Sequence, residues 1–271
     1  MSFEQINERG LVLLGCGKMR SAMLAGWLSG GLSASSVWVK DPFPSDWVKA
    51  QGVHLNEELP SSPSIVLVAV KPQMMTDALP VLAAMGNKDT LFVSVAAGVT
   101  ISSYESILGD QTPIIRAMPN TPAAVGKGIT AIIGNAHATS EQMDQSDDLL
   151  KAIGQVVRLE SEGQMDAVTG VSGSGPAYVF HLIEALAAAG EAQGLAPELA
   201  MQLAKATVAG AGVLAEEADE TPSQLRVNVT SPNGTTQAGL EVLMNETSGL
   251  PPLVKATVKA ASDRSRELSN G

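Results

Sequence analysis

Two short segments of this chain combine residue types that hold anions. The first, Gly15-Cys16-Gly17-Lys18-Met19-Arg20, runs out of the apolar stretch Leu11–Leu14 and into a helical pattern. In such a turn the first glycine permits a tight reversal, and the second lets backbone approach a pyrophosphate at the helix N-terminus. Arg20 stands where the third glycine of G-x-G-x-x-G belongs. Its side chain either crowds the helix–strand contact or reaches a phosphate. The second segment, Ser231-Pro232-Asn233-Gly234-Thr235-Thr236, interrupts an Ala- and Leu-rich helical region, and another helical pattern follows at once. Turn formers before a helix leave backbone N–H groups and hydroxyls free to bind an anion. A plain cap by Ser231 or Thr235 is the alternative.

Other candidates gather around the first segment. A second apolar run ends in Lys40-Asp41. An acidic side chain there suits the ribose 2′-hydroxyl of NAD, and a cation suits the 2′-phosphate of NADP, so both coenzymes stay open. The runs Ile65–Val70 and Leu91–Val95 lead into Ala69-Val70-Lys71-Pro72 and into Ser94–Thr100, which contains Ala96-Ala97-Gly98. Strand ends of this kind line the ligand crevice of an open α/β sheet.

Other chemistries lack their residues. Cys16 is the one cysteine, so no intrachain disulfide forms, and a reducing compartment is expected. It reads as a small filler beside the turn. His54, His137 and His181 show no metal-ligand spacing. His181, among apolar neighbours on a helix, reads as a core or interface residue. A net charge of −11 without a Lys/Arg cluster argues against nucleic acid or an anionic membrane as partner. The polar start MSFEQINERG does not read as a signal peptide, and the run IVLVAV is too short to span a bilayer. A soluble cytoplasmic protein is the expectation.

The elements that would position these residues fall into two halves. Up to about residue 162, apolar runs at Leu11–Leu14, Val37–Val39, Ile65–Val70, Leu91–Val95, Ile114–Ala117, Ile129–Ile133 and Val156–Leu159 alternate with helical patterns. Runs without polar alternation fit a parallel sheet covered on both faces, a doubly wound Rossmann-type α/β domain over residues 1–162. Helices are expected at Lys18–Ser29, Ser45–Gln51, Pro72–Met85, Thr100–Leu108 and Ser140–Ile153. From 163 to 271 the strand signal disappears. Helical patterns run Pro176–Gln193, Pro197–Ala218, Pro222–Asn228, Thr235–Asn245 and Pro251–Leu268, several opening on proline. Segments such as ALAAAGEAQG allow close backbone approach, and this all-helical half is expected to complete its core against a second subunit.

Taken together, GCGKM (15–19), AVKP (69–72), VSVAAGVT (93–100), RAMPNTPA (116–123), DAVTGVSGSGPAY (166–178) and SPNGTTQAGL (231–240) resemble the pyrroline-5-carboxylate reductase family. The motifs recur in order over nearly the whole chain. The resemblance implies a Rossmann-type domain followed by a helical domain that dimerises, often with dimers assembling into rings. It implies reduction of a cyclic imine to proline, usually with NADPH; Asp41 keeps NADH possible. By the same resemblance, Ser231, Gly234, Thr235 and Thr236 hold the substrate carboxylate, and the Thr236 hydroxyl serves the ring nitrogen. Gly15 to Met19, Asn56, Ala69 to Pro72, Ala96 to Gly98, Glu162 and Asn228 then bind the dinucleotide. Arg20 and Asn233 depart from the family pattern; Asn tolerates positive φ, so the second turn survives.

Such a reaction needs no strong acid, because a cyclic imine can arrive protonated. Positioning carries the rate, with reacting atoms about 3–3.5 Å apart. Two other readings compete: an imine reductase or dehydrogenase acting on a different small acid, and a nucleotide-binding regulatory dimer without catalysis.

Overall fold

The computed structural model of the chain describes residues 3–69 and 75–270. In chain order it forms α1 (Glu4–Arg9), β1 (Leu11–Leu14), α2 (Lys18–Ser29), β2 (Val37–Lys40), α3 (Asp46–Lys49), β3 (His54–Leu55), β4 (Ile65–Val68), α4 (Met75–Ala78), β5 (Leu91–Ser94) and α5 (Ile101–Leu108). Then come β6 (Ile114–Met118), β7 (Gly128–Gly134), α6 (Ser140–Lys151), β8 (Gly154–Arg158), α7 (Met165–Val168), α8 (Gly175–Ala192), α9 (Pro197–Glu217), α10 (Pro222–Asn228), α11 (Thr235–Leu243) and α12 (Leu250–Asn270). Two compact units result. One holds the chain through Gly173 together with the stretch from Ala261; the other is Ser174–Ala260.

The first unit is a single sheet in the order β3-β2-β1-β4-β5-β6-β7-β8. Every residue of β1 and β4 is buried. Their alternate side chains enter two separate cores: Leu11, Leu13, Ile65 and Leu67 on one face, Val12, Leu14, Val66 and Val68 on the other. A strand buried on both faces has no reason to alternate with polar residues, which explains its continuous apolar run. Trp27 of α2 is fully buried and donates its indole N–H to the Leu149 carbonyl at 2.7 Å, so the polar edge of the ring is satisfied.

Of the departures from the sequence expectations, two have a clear cause in the chain. The sheet is not parallel throughout, because β7 runs antiparallel to β6. Only residues 119–127 join them, including a 3₁₀ turn at Thr121–Val125, and a parallel crossover needs about a dozen residues or more. The helix expected over Pro72–Met85 is, within the described residues, α4 followed by a 3₁₀ turn at Pro80–Met85. Pro80 lacks the N–H that would continue an α-helix.

The second unit is helical throughout. Its small core comprises Ala187, Ala200 and Ala204 with Ile183 against them. Gly190 lies so close to α9 that an added Cβ would sit 3.3 Å from the Ala200 Cβ. Apolar side chains stand uncovered on this chain alone, among them Phe180 at 59% and Val242 at 72% exposure. His181 lies outside any core of this chain and is exposed on it, with its Nδ1 3.0 Å from Glu184 Oε2. Among the described residues, no helix is long and apolar enough to cross a membrane.

Candidate functional site

The first glycine turn is built around the end of β2. Gly15 has φ +86°, a left-handed conformation that a side chain would strain, and its N–H donates to the Lys40 carbonyl at 2.7 Å. The Cys16 N–H donates to Asp41 Oδ2 at 2.6 Å, and the Phe43 N–H donates to Asp41 Oδ1 at 2.8 Å. Asp41 therefore locks the turn to the neighbouring strand. Asn56, at φ +58°, clamps Asp41 in place: its Oδ1 accepts from the Asp41 N–H at 3.0 Å and its Nδ2 donates to the Asp41 carbonyl at 2.9 Å. Lys40 Nζ donates to the Asn56 carbonyl at 3.1 Å. One acid and one cation thus meet at the edge where a ribose or a 2′-phosphate would be read.

Gly17 is the N-cap of α2, and no side chain caps that helix. Its first turn keeps N–H groups and the positive end of the helix dipole for an incoming anion. A Cβ on Gly17 would lie 2.9 Å from Arg20 Nη2, so any side chain there would have to displace the guanidinium. These features fit the diphosphate of a dinucleotide. Met19 packs against the adjoining core, and the Lys18 side chain lies outside the described residues. Cys16 is buried; burial raises its thiol pKa more than the Ser21 hydrogen bond and the Arg20 charge lower it. It stays a thiol and fills space, as the sequence suggests.

The next strand ends lie along the same sheet edge. Ala69 is buried and its N–H donates to the Leu14 carbonyl at 3.1 Å. Val70, Lys71 and Pro72 fall outside the described residues. After β5, Ala96 is buried, Ala97 is exposed, and Gly98 turns with φ +75°. The Ser94 hydroxyl fixes this loop by accepting from the Ala96 N–H at 3.2 Å while pairing with the Tyr104 hydroxyl. Burial pushes the Tyr104 pKa up to about 12, against the smaller opposing effects of Ser94 and the Arg116 charge, so the phenol stays neutral.

Glu162 has its own partners within this unit. Its Oε1 accepts from the Ile101 N–H at 2.9 Å and from Arg116 Nη1 at 2.8 Å. Arg116 went unnoticed in the sequence as a site residue, although a lone charge inside the apolar run PIIRAMP is an available signal. It is 3% exposed, and its Nε and Nη2 are buried without partners.

In the second unit the Ser231–Thr236 segment is a tight turn. Asn233 adopts φ +60°, a left-handed conformation that asparagine tolerates better than most residues. The Asn233 N–H donates to Gln237 Oε1 at 2.8 Å, and the Gly234 N–H donates to the Ser231 carbonyl at 3.0 Å. Gly234 is the N-cap of α11, and no side chain caps this helix either. The plain-cap alternative through Ser231 or Thr235 is therefore absent. Ser231, Thr235 and Thr236 are exposed. Asn228 closes α10, with its Oδ1 accepting from Gln224 Nε2 at 2.7 Å. Among the described residues, no group of three or more His, Cys, Asp or Glu is arranged to hold a metal ion.

Comparison with known proteins accords with both halves. A family model described as pyrroline-5-carboxylate reductase dimerisation matches residues 162–268, and one described as NADP oxidoreductase, coenzyme F420-dependent, matches residues 11–98. A pyrroline-5-carboxylate reductase of Pseudomonas aeruginosa is 38% identical over 265 residues, covering 96% of each chain. The solved pyrroline-5-carboxylate reductase of Coxiella burnetii superposes with a TM-score of 0.90 at 33% identity, covering 96% of this chain and 98% of that one. That of Plasmodium falciparum, solved with NADP bound, gives a TM-score of 0.82 at 27% identity, covering 97% and 99%. Identity at this level over almost the full length places the chain in the pyrroline-5-carboxylate reductase family.

Proposed function

We propose that this protein reduces 1-pyrroline-5-carboxylate to L-proline with NADPH, by hydride addition to the imine carbon. The observation that carries the substrate assignment is the start of α11. It is an uncapped helix N-terminus behind a turn held by Asn233, in a segment that resembles the substrate turn of the family. Backbone N–H groups of Gly234, Thr235 and Thr236, with the Ser231 hydroxyl beside them, suit the carboxylate of the ring. The Thr236 hydroxyl hydrogen-bonds the ring nitrogen and assists its protonation. No side chain needs to supply a strong acid, because the imine can arrive protonated.

The dinucleotide rests chiefly on residues of the first unit. Gly15, Cys16, Gly17, Lys18 and Met19 form the pyrophosphate turn, and Lys40, Asp41 and Asn56 form the ribose end. Ala69 to Pro72, Ala96 to Gly98, Glu162 and Asn228 complete the proposed set. When bound, the reduced nicotinamide supplies the hydride. The NADP-bound Plasmodium relative supports NADPH as the coenzyme. Residues 1–162 act as the dinucleotide module and 163–271 as the substrate and dimerisation module. The uncovered apolar side chains of the helical unit and the dimerisation model at residues 162–268 support a homodimer, alone or in a larger assembly of dimers. A cytoplasmic location suits a biosynthetic enzyme of this kind.

The test is direct. NADPH oxidation is followed with 1-pyrroline-5-carboxylate and, separately, with its six-membered homologue, and proline is identified as product. Turnover confined to the five-membered ring is the expected result. Preference for the six-membered ring overturns the substrate, and no turnover with either despite tight coenzyme binding indicates a regulatory protein.

A further inference from the structure

Arg20 stands in the first turn of α2 where the dinucleotide fingerprint has glycine. Its side chain is half-buried. It folds back over the turn, so that Nη2 and Cζ lie 2.9 and 3.7 Å from the Cβ that any other residue would carry at Gly17. Its Nε is buried without a hydrogen-bond partner. Desolvation lowers its pKa, against the smaller opposing effects of its neighbours Cys16 and Asp41. The Asp41 carboxylate is already engaged by the N–H groups of Cys16 and Phe43. A guanidinium held this way has unused donor capacity and an unfavourable environment for its charge, and both are relieved by an anion.

We propose that Arg20 is a pyrophosphate ligand, a cation closing over Gly17 to grip the diphosphate that the glycine turn and the α2 N-terminus receive. The planar guanidinium matches two phosphate oxygens at once, a geometry that glycine at this position cannot offer. The substitution exchanges close helix–strand packing at one point for a charge-assisted contact. The α2 helix retains its packing further along, where Met23, Leu24 and Trp27 are fully buried. This inference rests on the reading that the first unit binds a dinucleotide.

The test is equilibrium binding of NADPH and NADH, without imine substrate, to the unsubstituted protein and to Arg20→Lys, Arg20→Met and Arg20→Gly, at low and moderate salt. Both coenzymes carry the diphosphate and only NADPH carries the 2′-phosphate. Arg20→Met and Arg20→Gly are expected to weaken both by the same factor, about tenfold or more, and to reduce the salt dependence. Arg20→Lys is expected to keep part of the affinity. Arg20→Gly restores the fingerprint residue, so the result does not depend on whether Arg20→Met folds. Unchanged or tighter binding by Arg20→Gly overturns the proposal and marks Arg20 as an obstruction. A loss confined to NADPH overturns it in favour of the 2′-phosphate. Failure of the unsubstituted protein to bind either coenzyme overturns the dinucleotide reading as well, whereas absence of imine reduction leaves the binding result standing.

Discussion

The Glu162 carboxylate joins the Arg116 guanidinium at 2.8 Å, tying strand β6 to the segment that follows β8. The same oxygen accepts the Ile101 N–H at 2.9 Å, so one carboxylate oxygen also satisfies a donor in the first turn of α5. Arg116 is almost fully buried, and its charge has this one ion-pair partner among the described residues. Glu162→Gln keeps a hydrogen-bond acceptor and removes the counter-charge. Breaking one side of a buried pair costs about 3–5 kcal/mol, because the other charge stays desolvated. Denaturant unfolding of Glu162→Gln is expected to show a loss near the lower end, since Glu162 itself is partly exposed. Adding Arg116→Met removes the stranded charge, so the double variant should recover part of that loss. A double variant less stable than Glu162→Gln would show that the packing of Arg116, not its charge, is what the fold needs.

Tyr104 yields a prediction in the alkaline range. Its phenol is buried and titrates near pH 12, whereas an unfolded tyrosine titrates near pH 10. Above about pH 10 the unfolded chain releases this proton while the folded chain keeps it, so the unfolded state binds fewer protons and stability falls as pH rises. The contribution is fully present below pH 10 and lost progressively up to about pH 12, amounting to ~2–3 kcal/mol. Unfolding free energies at pH 9 and pH 11.5 for the unsubstituted protein and Tyr104→Phe test this. The unsubstituted protein should lose more over that interval, and equal losses would mean that Tyr104 ionises as freely when folded as when unfolded.

The sheet was legible in the sequence wherever burial leaves its mark on composition. The runs Leu11–Leu14 and Ile65–Val68 are apolar at every position because both of their faces enter cores. The reversal of β7 left no such mark, since burial is indifferent to strand direction and only the short span 119–127 forces it. The strand His54–Leu55, two half-buried residues, is too short to produce a pattern. In the site, the glycine turns and the start of α11 could be read locally, because a turn is specified by adjacent residues. The partners that tune them could not. Glu162 meets Arg116 across 46 positions, and Asp41 meets Cys16 across 25, contacts that exist only once the sheet has formed.

The meeting of Lys40 and Asp41 at the end of β2 makes coenzyme preference measurable at two neighbouring positions. Asp41 presents negative charge beside the turn, and Lys40 Nζ lies against the Asn56 carbonyl. A 2′-phosphate is repelled by the first and attracted by the second. Asp41→Ala is expected to raise the preference for NADPH over NADH, and Lys40→Ala to lower it, each by about tenfold, corresponding to ~1.4 kcal/mol. The ratio of kcat/KM for the two coenzymes is the readout. Because Asp41 also fastens the Cys16 and Phe43 N–H groups, its removal should weaken both coenzymes somewhat as well. A ratio that moves with neither variant would place the 2′-phosphate away from this strand end.

Thr236 separates substrate chemistry from coenzyme binding. It is the second residue of α11, exposed, and behind a helix start that no side chain caps. Thr236→Ala removes the hydroxyl proposed for the ring nitrogen and leaves the backbone N–H groups proposed for the carboxylate. Turnover is expected to fall by about a hundredfold, the low end of what a positioned acid–base group contributes. NADPH affinity, measured by direct titration, should stay within about twofold, while KM for the imine changes less than kcat because the carboxylate grip remains. Thr236→Ser retains the hydroxyl and should restore much of the turnover. A parallel loss of NADPH affinity in Thr236→Ala would assign this residue to the nucleotide instead, and the carboxylate would then need another helix start to receive it.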